Sequence, residues 1–198
     1  MAFLTLRRAL ASLATIAASL GLAGLLASQA STPTGTVARG ISLEYQVKAA
    51  YLLNFTRYVD WPSESYGAPG APLTVCVLGR DPFGEILDAT MQGKTTHGRP
   101  VSVRRIQSSG GASGCHLVFV SQETWQNQRQ LLEGLETKGI LTVGETDEFA
   151  QRGGVIGFVI QEETVRFVVN TDARDRAGLR ISSRMLSLAA AVYGERPT

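Results

Sequence analysis

The sequence predicts an α/β protein whose strands form a mostly parallel sheet. Three short apolar runs, at 72–79, 115–121 and 139–146, have the composition of strands buried on both faces. Segments typical of helices follow the first two runs. Two more strand-like runs flank the polar stretch 161–163, which predicts a β-hairpin, and a helical segment comes last. This order predicts a single three-layer domain, flavodoxin-like or Rossmann-like, closed by a C-terminal hairpin and helix.

The first predicted helix spans 43–59 and ends before Trp61-Pro62, because proline disfavours the helical conformation of the residue before it. One face of this helix is apolar, as packing against a core requires. Leu52, Leu53 and Val59 lie off that face and are apolar as well. The excess indicates either a helix buried on more than one side or a surface that contacts a partner.

The remaining elements follow from local signals. Asp81 is the predicted N-cap of the helix after the first buried strand. The alternating run 99–106 predicts a more exposed edge strand, and 122–138 a long helix. Ser182 is the predicted N-cap of the last helix. A flavodoxin-like 2-1-3 order would place the first buried strand between its two successors.

The N-terminus has the layout of an export signal. Arg7 and Arg8 precede an apolar run, and 28–30 supplies small residues at the cleavage position, so residues 1–30 are predicted to be a cleaved signal peptide. Residues 31–41, rich in Ser, Thr, Pro and Gly, are predicted to be a flexible leader, and 42–194 the folded domain.

The predicted mature chain is electrically balanced. The full sequence has 19 basic and 17 acidic residues, and removing Arg7 and Arg8 leaves 17 of each. Nucleic-acid binding would require a basic patch on the mature domain. The balance therefore argues against a nucleic-acid partner.

The only two cysteines, Cys76 and Cys115, both lie in predicted buried strands. In an exported chain, an even pair most simply forms one disulfide. Two buried, unbridged thiols are the alternative. The 2-1-3 strand order would make the two strands neighbours, at a spacing that a disulfide accepts.

No catalytic motif, metal site or cofactor site is predicted. Gly79 and Gly84 have the spacing of a phosphate-binding loop, but Glu85-Ile86 stands where that loop needs Lys and Ser or Thr. Cys115 and His116 are adjacent in a strand, so their side chains point to opposite faces and cannot readily exchange a proton. His116 is predicted to be structural.

The carboxyl ends of the predicted parallel strands are the place where such sheets bind ligands. Arg80 and Asp81 follow the first buried strand, and Glu145 lies at the carboxyl end of the third. These three residues are the candidates for a small-ligand pocket. Carboxylates that only cap helices are the alternative.

Seven stretches of the chain, taken in order, resemble the YfiR family of small exported regulators. The ordered set carries the resemblance rather than any single stretch, and it spans nearly the whole predicted mature chain, about Val47 to Val192. The stretches are VKAAYLLNFTRYVDWP, LTVCVLGRDPFG, GRPVSVRRI, CHLVFVS, LTVGETDEFAQRGGVIGF, VRFVVN and AGLRISSRMLSLA.

The resemblance implies a periplasmic, non-enzymatic protein without a cofactor. It implies a homodimer that binds the periplasmic sensor region of a membrane diguanylate cyclase and holds it inactive, which would control cyclic di-GMP and biofilm growth. Many relatives neighbour histidine kinases or outer-membrane receptors instead. A small-ligand sensor that partners one of those proteins is therefore the alternative.

The resemblance also bears on the cysteines and on the contact surface. Cys76 and Cys115 match a disulfide-forming pair of the family, whereas Ala150 and Gly157 stand where a relative has a second pair. Partner contact requires exposed apolar surface. The candidates, for each of which ordinary core packing is the alternative, are Leu52, Leu53, Val59, Ile156, Phe158 and Val168.

Overall fold

The fold is described from a computed structural model, in which residues 34–135 and 139–194 are described. The described residues belong to one compact unit. The predicted signal peptide and residues 31–33 of the predicted leader lie outside them. Within the described ranges, no helix combines the length and the apolarity needed to cross a membrane.

Six helices and ten strands are described. The helices are α1 (Thr34–Tyr58), α2 (Glu85–Met91), α3 (Gln122–Asn127), α4 (Asp147–Gln151), α5 (Thr171–Arg176) and α6 (Ser183–Leu186). The strands are β1 (Val59–Asp60), β2 (Leu73–Leu78), β3 (Thr95–Thr96), β4 (Arg99–Ile106), β5 (Leu117–Val120), β6 (Leu141–Gly144), β7 (Ile156–Gln161), β8 (Thr164–Asn170), β9 (Arg180–Ile181) and β10 (Ala191–Tyr193).

The main sheet has eight strands in the order β10-β8-β7-β6-β5-β2-β4-β3. Strands β4, β2, β5, β6 and β7 are parallel neighbours, which confirms the mostly parallel sheet and the 2-1-3 order of its first three long strands. Strand β8 returns antiparallel to β7 as the predicted hairpin, and β10 pairs with β8 in parallel. The short strand β3 lies outside β4, so β4 is not the outermost strand.

The sheet separates two apolar clusters, so the domain has three layers. One cluster joins α1 to the side chains on one face of β2, β5, β6, β7 and β8. The other joins the opposite face to α3, to the 3-10 turn Arg129–Leu132 and to α4. Successive strand residues such as Val75 and Cys76 enter different clusters, because side chains alternate across a sheet.

Helix α1 is longer than predicted and includes 34–41, part of the predicted leader. Its C-terminal end is fixed to the sheet by side chains. The side chains of Thr96 and His97 donate to the carbonyl oxygen of Thr56, at 2.8 and 3.0 Å. Trp61 donates from Nε1 to the carbonyl oxygen of His116 at 2.9 Å. The predicted Trp-Pro stop is thus also an anchoring point.

Three predicted helices are shorter than their sequence patterns suggested. Helix α2 begins after Gly84 rather than at Asp81, whose Oδ1 instead accepts from the amides of Phe83 and Gly84 in a turn. Helix α3 ends at Asn127, because Gln128 has non-helical φ and ψ angles of −139° and 63°. Ser182 caps α6 as predicted, but α6 ends at Leu186 and the chain continues into β10.

Cys76 and Cys115 form the disulfide, with their Cα atoms 5.9 Å apart. Cys76 lies in β2, and Cys115 lies two residues before β5, the parallel neighbour of β2. The bridge encloses a separation of 39 residues, which gives roughly 4 kcal/mol of stabilisation in the chain-entropy description.

The hairpin between β7 and β8 turns through two glutamates with left-handed backbone. Glu162 and Glu163 have φ angles of 49° and 60°, a conformation that Asn and Gly adopt more easily in two-residue hairpins. Each residue with a Cβ in this region costs on the order of 1 kcal/mol. The turn therefore reduces the stability of the fold.

We expect the double substitution E162N/E163G to raise the free energy of unfolding by about 1–2 kcal/mol, because it removes this backbone strain. Urea denaturation followed by circular dichroism measures the change. E162Q/E163Q is the matched control, since it removes both charges and keeps the strain. A similar gain in both variants would assign the effect to charge repulsion instead.

Candidate functional site

The three predicted pocket residues line one cleft at the carboxyl edge of the sheet. Arg80, Asp81 and Glu145 border a volume of about 770 Å³. The turn after β2 adds Pro82 to the lining. The other walls come from α1 and from the N-cap and helix of α3, through Glu44, Tyr45, Lys48, Ser121, Gln122, Glu123 and Gln126. The carboxyl ends of β2 and β6 place the three predicted residues in this cleft. Helix α1 forms a further wall, which the sequence patterns did not reveal.

A buried ion pair forms the floor of this cleft. The Lys48 ammonium lies 2.6 Å from Glu145 Oε1, and both side chains are about 95% buried, with 5% and 4% exposed. The ammonium also contacts Glu44 one helical turn earlier, and it lies 4.7 Å from the centre of the Tyr45 ring. A lone buried charge would be very unfavourable, so Lys48 and Glu145 must be retained together.

Glu145 connects three elements at this point. Its Oε1 accepts from Lys48 of α1, and its Oε2 accepts from the backbone amide of Gln122, the first residue of α3, at 2.8 Å. Burial, together with the neighbouring Glu145 carboxylate, raises the pKa of the Tyr45 phenol. The Tyr45 ring thus packs beside the ion pair as a neutral phenol.

Arg80 and Asp81 differ in what they can offer a ligand. Arg80 is exposed and pairs with Glu123 across the mouth of the cleft at 2.5 Å, a contact that solvent weakens. Asp81 is engaged in its own turn and accepts at Oδ2 from Arg105 Nε at 2.9 Å. Arg105 also holds Asp88, and that hydrogen bond lowers the pKa of the Asp88 carboxyl. Asp81 is therefore mainly structural.

The sequence patterns did not reveal Lys48, Glu44 and Tyr45 as site residues, because the apolar pattern of the first helix gives no position for its polar side chains. A signal was present. Lys48 lies three and four residues before Tyr51 and Leu52, on a side of the helix that is otherwise apolar. A lysine within a buried stripe indicates a partner carboxylate elsewhere in the fold.

At the opposite, amino edge of the sheet, His116 is a structural residue, as predicted. Its ring lies against Trp61 and Tyr66, and its Nδ1 accepts from the backbone amide of Thr74 at 3.1 Å. Burial, with a contribution from the positive charge of Arg99, lowers the pKa of His116. The neutral ring is the form that can accept this hydrogen bond, since protonation makes both ring nitrogens donors.

The six residues predicted as an exposed contact surface are buried in the core of the single chain. Helix α1 covers one sheet face, so its off-face residues are enclosed by neighbouring segments, and the hairpin residues lie inside the sheet. The exposed fractions of Leu52, Leu53, Val59, Ile156, Phe158 and Val168 are 0, 7, 0, 0, 1 and 3%. The expectation that these side chains are exposed is corrected here.

Exposed apolar side chains lie instead beside the hairpin. Ile160, Leu188 and Val192 are 55, 60 and 48% exposed, and we call them the hairpin-edge surface. Ile160 of β7 lies opposite Val165 of β8, and the carbonyl oxygen of Leu188 accepts from Arg166 of β8. Val192 belongs to β10, the last strand of the sheet on this side.

A family profile described as YfiR/HmsC-like matches residues 45–190. The chain belongs to the YfiR/HmsC-like family. The match covers α1 from Tyr45 onward, every strand of the main sheet except β10, and both cysteines. Membership places the protein in the general class of periplasmic regulators of cyclic di-GMP signalling, a regulatory rather than a catalytic class.

Two solved structures show a partial likeness to the chain. One is a conserved domain protein from Vibrio cholerae O1 biovar eltor strain N16961, with 11% identity, a TM-score of 0.42, and coverage of 60% of this chain and 54% of that one. The other is an ABC domain in complex with L-Trp from Streptococcus pneumonia, with 12% identity, a TM-score of 0.42, and coverage of 61% and 55%. The chain spans about half the length of these structures.

Among the described residues, no group of three or more His, Cys, Asp or Glu side chains is placed to hold a metal ion. The acidic residues around the cleft are instead paired with Lys48, Arg80 and Arg105. Within this part of the chain, the candidate site is therefore a polar cleft whose charges are largely matched.

The environment of His116 predicts a specific pH dependence of stability. Its folded pKa is lowered from an ordinary value near 6.5, so below that pH the unfolded chain binds a proton that the native protein does not. The free energy of unfolding should therefore fall as the pH drops below about 6.5, by up to about 1.4 kcal/mol per pH unit from this group.

Urea denaturation between pH 7.5 and pH 5 measures this effect as the difference between the wild type and H116Q, whose amide oxygen can accept from Thr74. We expect the wild type to lose more stability than H116Q over this range. Q107N, a substitution without a titratable group at an exposed residue after β4, is the control and should follow the wild type. Parallel curves for the wild type and H116Q would refute this assignment.

Proposed function

We propose that this protein binds the periplasmic sensor region of a membrane signalling protein, a diguanylate cyclase, and holds it inactive. The observation that carries the proposal is the family match over residues 45–190. The disulfide between Cys76 and Cys115 agrees with export to an oxidising compartment. In this proposal the signal peptide is removed and the mature domain acts in the periplasm, thereby lowering cyclic di-GMP.

We place the partner contact at the hairpin-edge surface. Isolated exposed apolar residues are common on proteins, but these three lie on or beside β7, β8 and β10, the last three strands at one border of the sheet, where a partner can cover them. Strand β10 also offers free backbone groups to an added strand, because it pairs only with β8 among the described strands. The hairpin tip adds the carboxylates of Glu162 and Glu163, which favour a partner segment with basic residues.

Substitution of the hairpin-edge surface tests the contact. We expect I160E/L188E to reduce recovery of the membrane cyclase with the tagged full-length protein by about tenfold or more, because burying an unpaired carboxylate in an apolar contact is strongly unfavourable. L43E is the matched control, since Leu43 is 61% exposed and Leu188 60%, and Leu43 lies on α1. Equal recovery with the wild type, I160E/L188E and L43E would show that the partner contacts another surface.

Cyclic di-GMP in the host separates a cyclase partner from other partners. Deletion of the gene should raise cyclic di-GMP, and the wild type and L43E should restore it while I160E/L188E does not. An unchanged level on deletion would reject the cyclase and leave a kinase or an outer-membrane receptor as the partner. Light scattering on both variants reports whether the surface joins two copies of this chain instead.

A small-ligand sensor is the second candidate function, favoured by the cleft of about 770 Å³ at the carboxyl edge. Four carboxylates and two cations line this cleft: Glu44, Asp81, Glu123, Glu145, Lys48 and Arg80. Glu44 and Glu123 are the two of these carboxylates with the most exposed side chains, 34 and 55%, and they favour a ligand with amino groups. The ion pair between Arg80 and Glu123 is solvent-exposed and contributes little stability. It can therefore break at little cost, so that either side chain binds a ligand instead.

Thermal denaturation with a panel of amines, including putrescine and spermidine, tests this function. Ligand binding should raise the midpoint by several degrees at concentrations well above Kd, because only the native state binds. E123Q should weaken the shift, and E163Q, on the distant hairpin, should not. A midpoint that no compound moves would reject the sensor for this class of ligand and would leave the partner-binding proposal untouched.

A further inference from the structure

The two sulfurs of the disulfide lie in different surroundings. Cys76 is fully buried in β2, the strand that lies between β4 and β5 in the sheet. Cys115 lies at the end of the loop before β5 and lines a second cleft, of about 440 Å³. The loop SSGGASG (108–114) contributes five of the residues that line this cleft, all with small side chains, and Cys115 is 5% exposed against 0% for Cys76. Of the two cysteines, only Cys115 borders this cleft, so an external reagent approaches its sulfur first.

A fixed cation lies beside the more accessible sulfur. Arg104 Nη2 is 3.0 Å from the Cys115 Sγ atom. The same nitrogen donates to the carbonyl oxygens of Gly111 and Ser113, at 3.2 and 2.6 Å, so the loop holds the guanidinium in place. Arg104 itself is anchored in β4. A positive charge next to a cysteine favours its thiolate, which is the reactive form of the side chain.

We propose that Cys115 is the reactive thiol of this protein, activated by Arg104, and that Cys76 is the resolving thiol. In the reduced protein, the Cys115 thiolate attacks a sulfur of a disulfide oxidant, such as glutathione disulfide or an oxidoreductase disulfide. A bond forms between Cys115 and that sulfur, the oxidant's own bond breaks, and its second sulfur leaves as a thiolate.

The second step closes the bridge. Cys76 loses its proton and attacks the Cys115 sulfur of the mixed disulfide, which lies across neighbouring strands at the 5.9 Å Cα spacing. The Cys76–Cys115 bond forms, and the remaining half of the oxidant leaves as a thiolate. Two protein thiols are thereby oxidised by two electrons, and one oxidant disulfide is reduced to two thiols.

The same geometry governs reduction. An incoming thiolate can reach only the Cys115 side, so Cys76 must leave as a thiolate inside an apolar cluster with Leu78, Val118 and Val120. Formation of a charge in such surroundings is unfavourable. Attack on Cys76, which would release the Arg104-stabilised Cys115 thiolate, is blocked by burial. The site thus favours rapid closure of the bridge over its reopening.

The wild-type protein provides the first test. Fully reduced protein is mixed with glutathione disulfide, quenched with acid within seconds, and digested for mass spectrometry. Lys94 lies between the two cysteines, so tryptic peptides separate them. We expect the glutathione adduct on Cys115 to exceed that on Cys76 by at least about tenfold. Equal adducts, or a majority on Cys76, would overturn the proposal.

Variants test the role of Arg104 separately. In C76S the rate of Cys115 alkylation by iodoacetamide should rise with pH around a midpoint below about 8.5, the value of a free cysteine. Adding R104Q should move this midpoint upward and slow alkylation at pH 7 by about tenfold, while R104K should restore part of the rate. R180Q is the matched control, since the Arg180 side chain is 85% exposed and its nearest carboxylate oxygen, on Asp60, is 4.0 Å away.

A purely structural Arg104 predicts a different result. In that case R104Q lowers the melting temperature of the C76S protein but leaves the pH midpoint of alkylation unchanged, and that outcome would overturn the activation of Cys115. In C115S, Cys76 should react only in denaturant. Rapid reaction of Cys76 in folded C115S would overturn the assignment of the two roles.

Discussion

The packing of α1 across one face of the parallel sheet is the interaction on which the rest of the structure depends. The helix buries Leu52 and Phe55 against the strands and is held by polar contacts at its middle and just beyond its C-terminal end. At the carboxyl edge Lys48 pairs with Glu145, and at the amino edge Trp61 donates to His116. Apolar burial supplies the stabilisation, whereas these directional contacts fix the position of the helix along the strands.

This packing determines which surfaces are available for function. Because α1 fills the space over β2, β5, β6 and β7, the apolar residues at its centre cannot meet a partner. Sites at the periphery remain open, among them the polar cleft at the carboxyl edge, the disulfide cleft at the amino edge, and the hairpin-edge surface. The three sites lie at different borders of the sheet, so substitutions can probe each one separately.

Close packing occupies the place where a relative has its second cysteine pair. Ala150 and Gly157 lie side by side, since a Cβ atom on Gly157 would be 3.3 Å from the Ala150 Cβ. The same added Cβ would come within 2.3 Å of the carbonyl oxygen of Thr146. In this chain, close packing of α4 on β7 replaces a covalent link, and any thiol chemistry rests on Cys76 and Cys115.

Local pattern in the sequence determined the fold class, the hairpin, the buried strands and the three strand-end residues of the cleft. Such features depend mainly on side-chain alternation and on turn residues such as proline. These local signals are seldom overridden by long-range contacts. Only the tertiary structure decided that Leu52, Leu53 and Val59 are core, that α3 stops at Asn127, and that Lys48 reaches Glu145, 97 residues away. Those outcomes depend on which faces meet in space, and burial on two sides of a helix leaves the same apolar pattern in the sequence as an exposed contact surface.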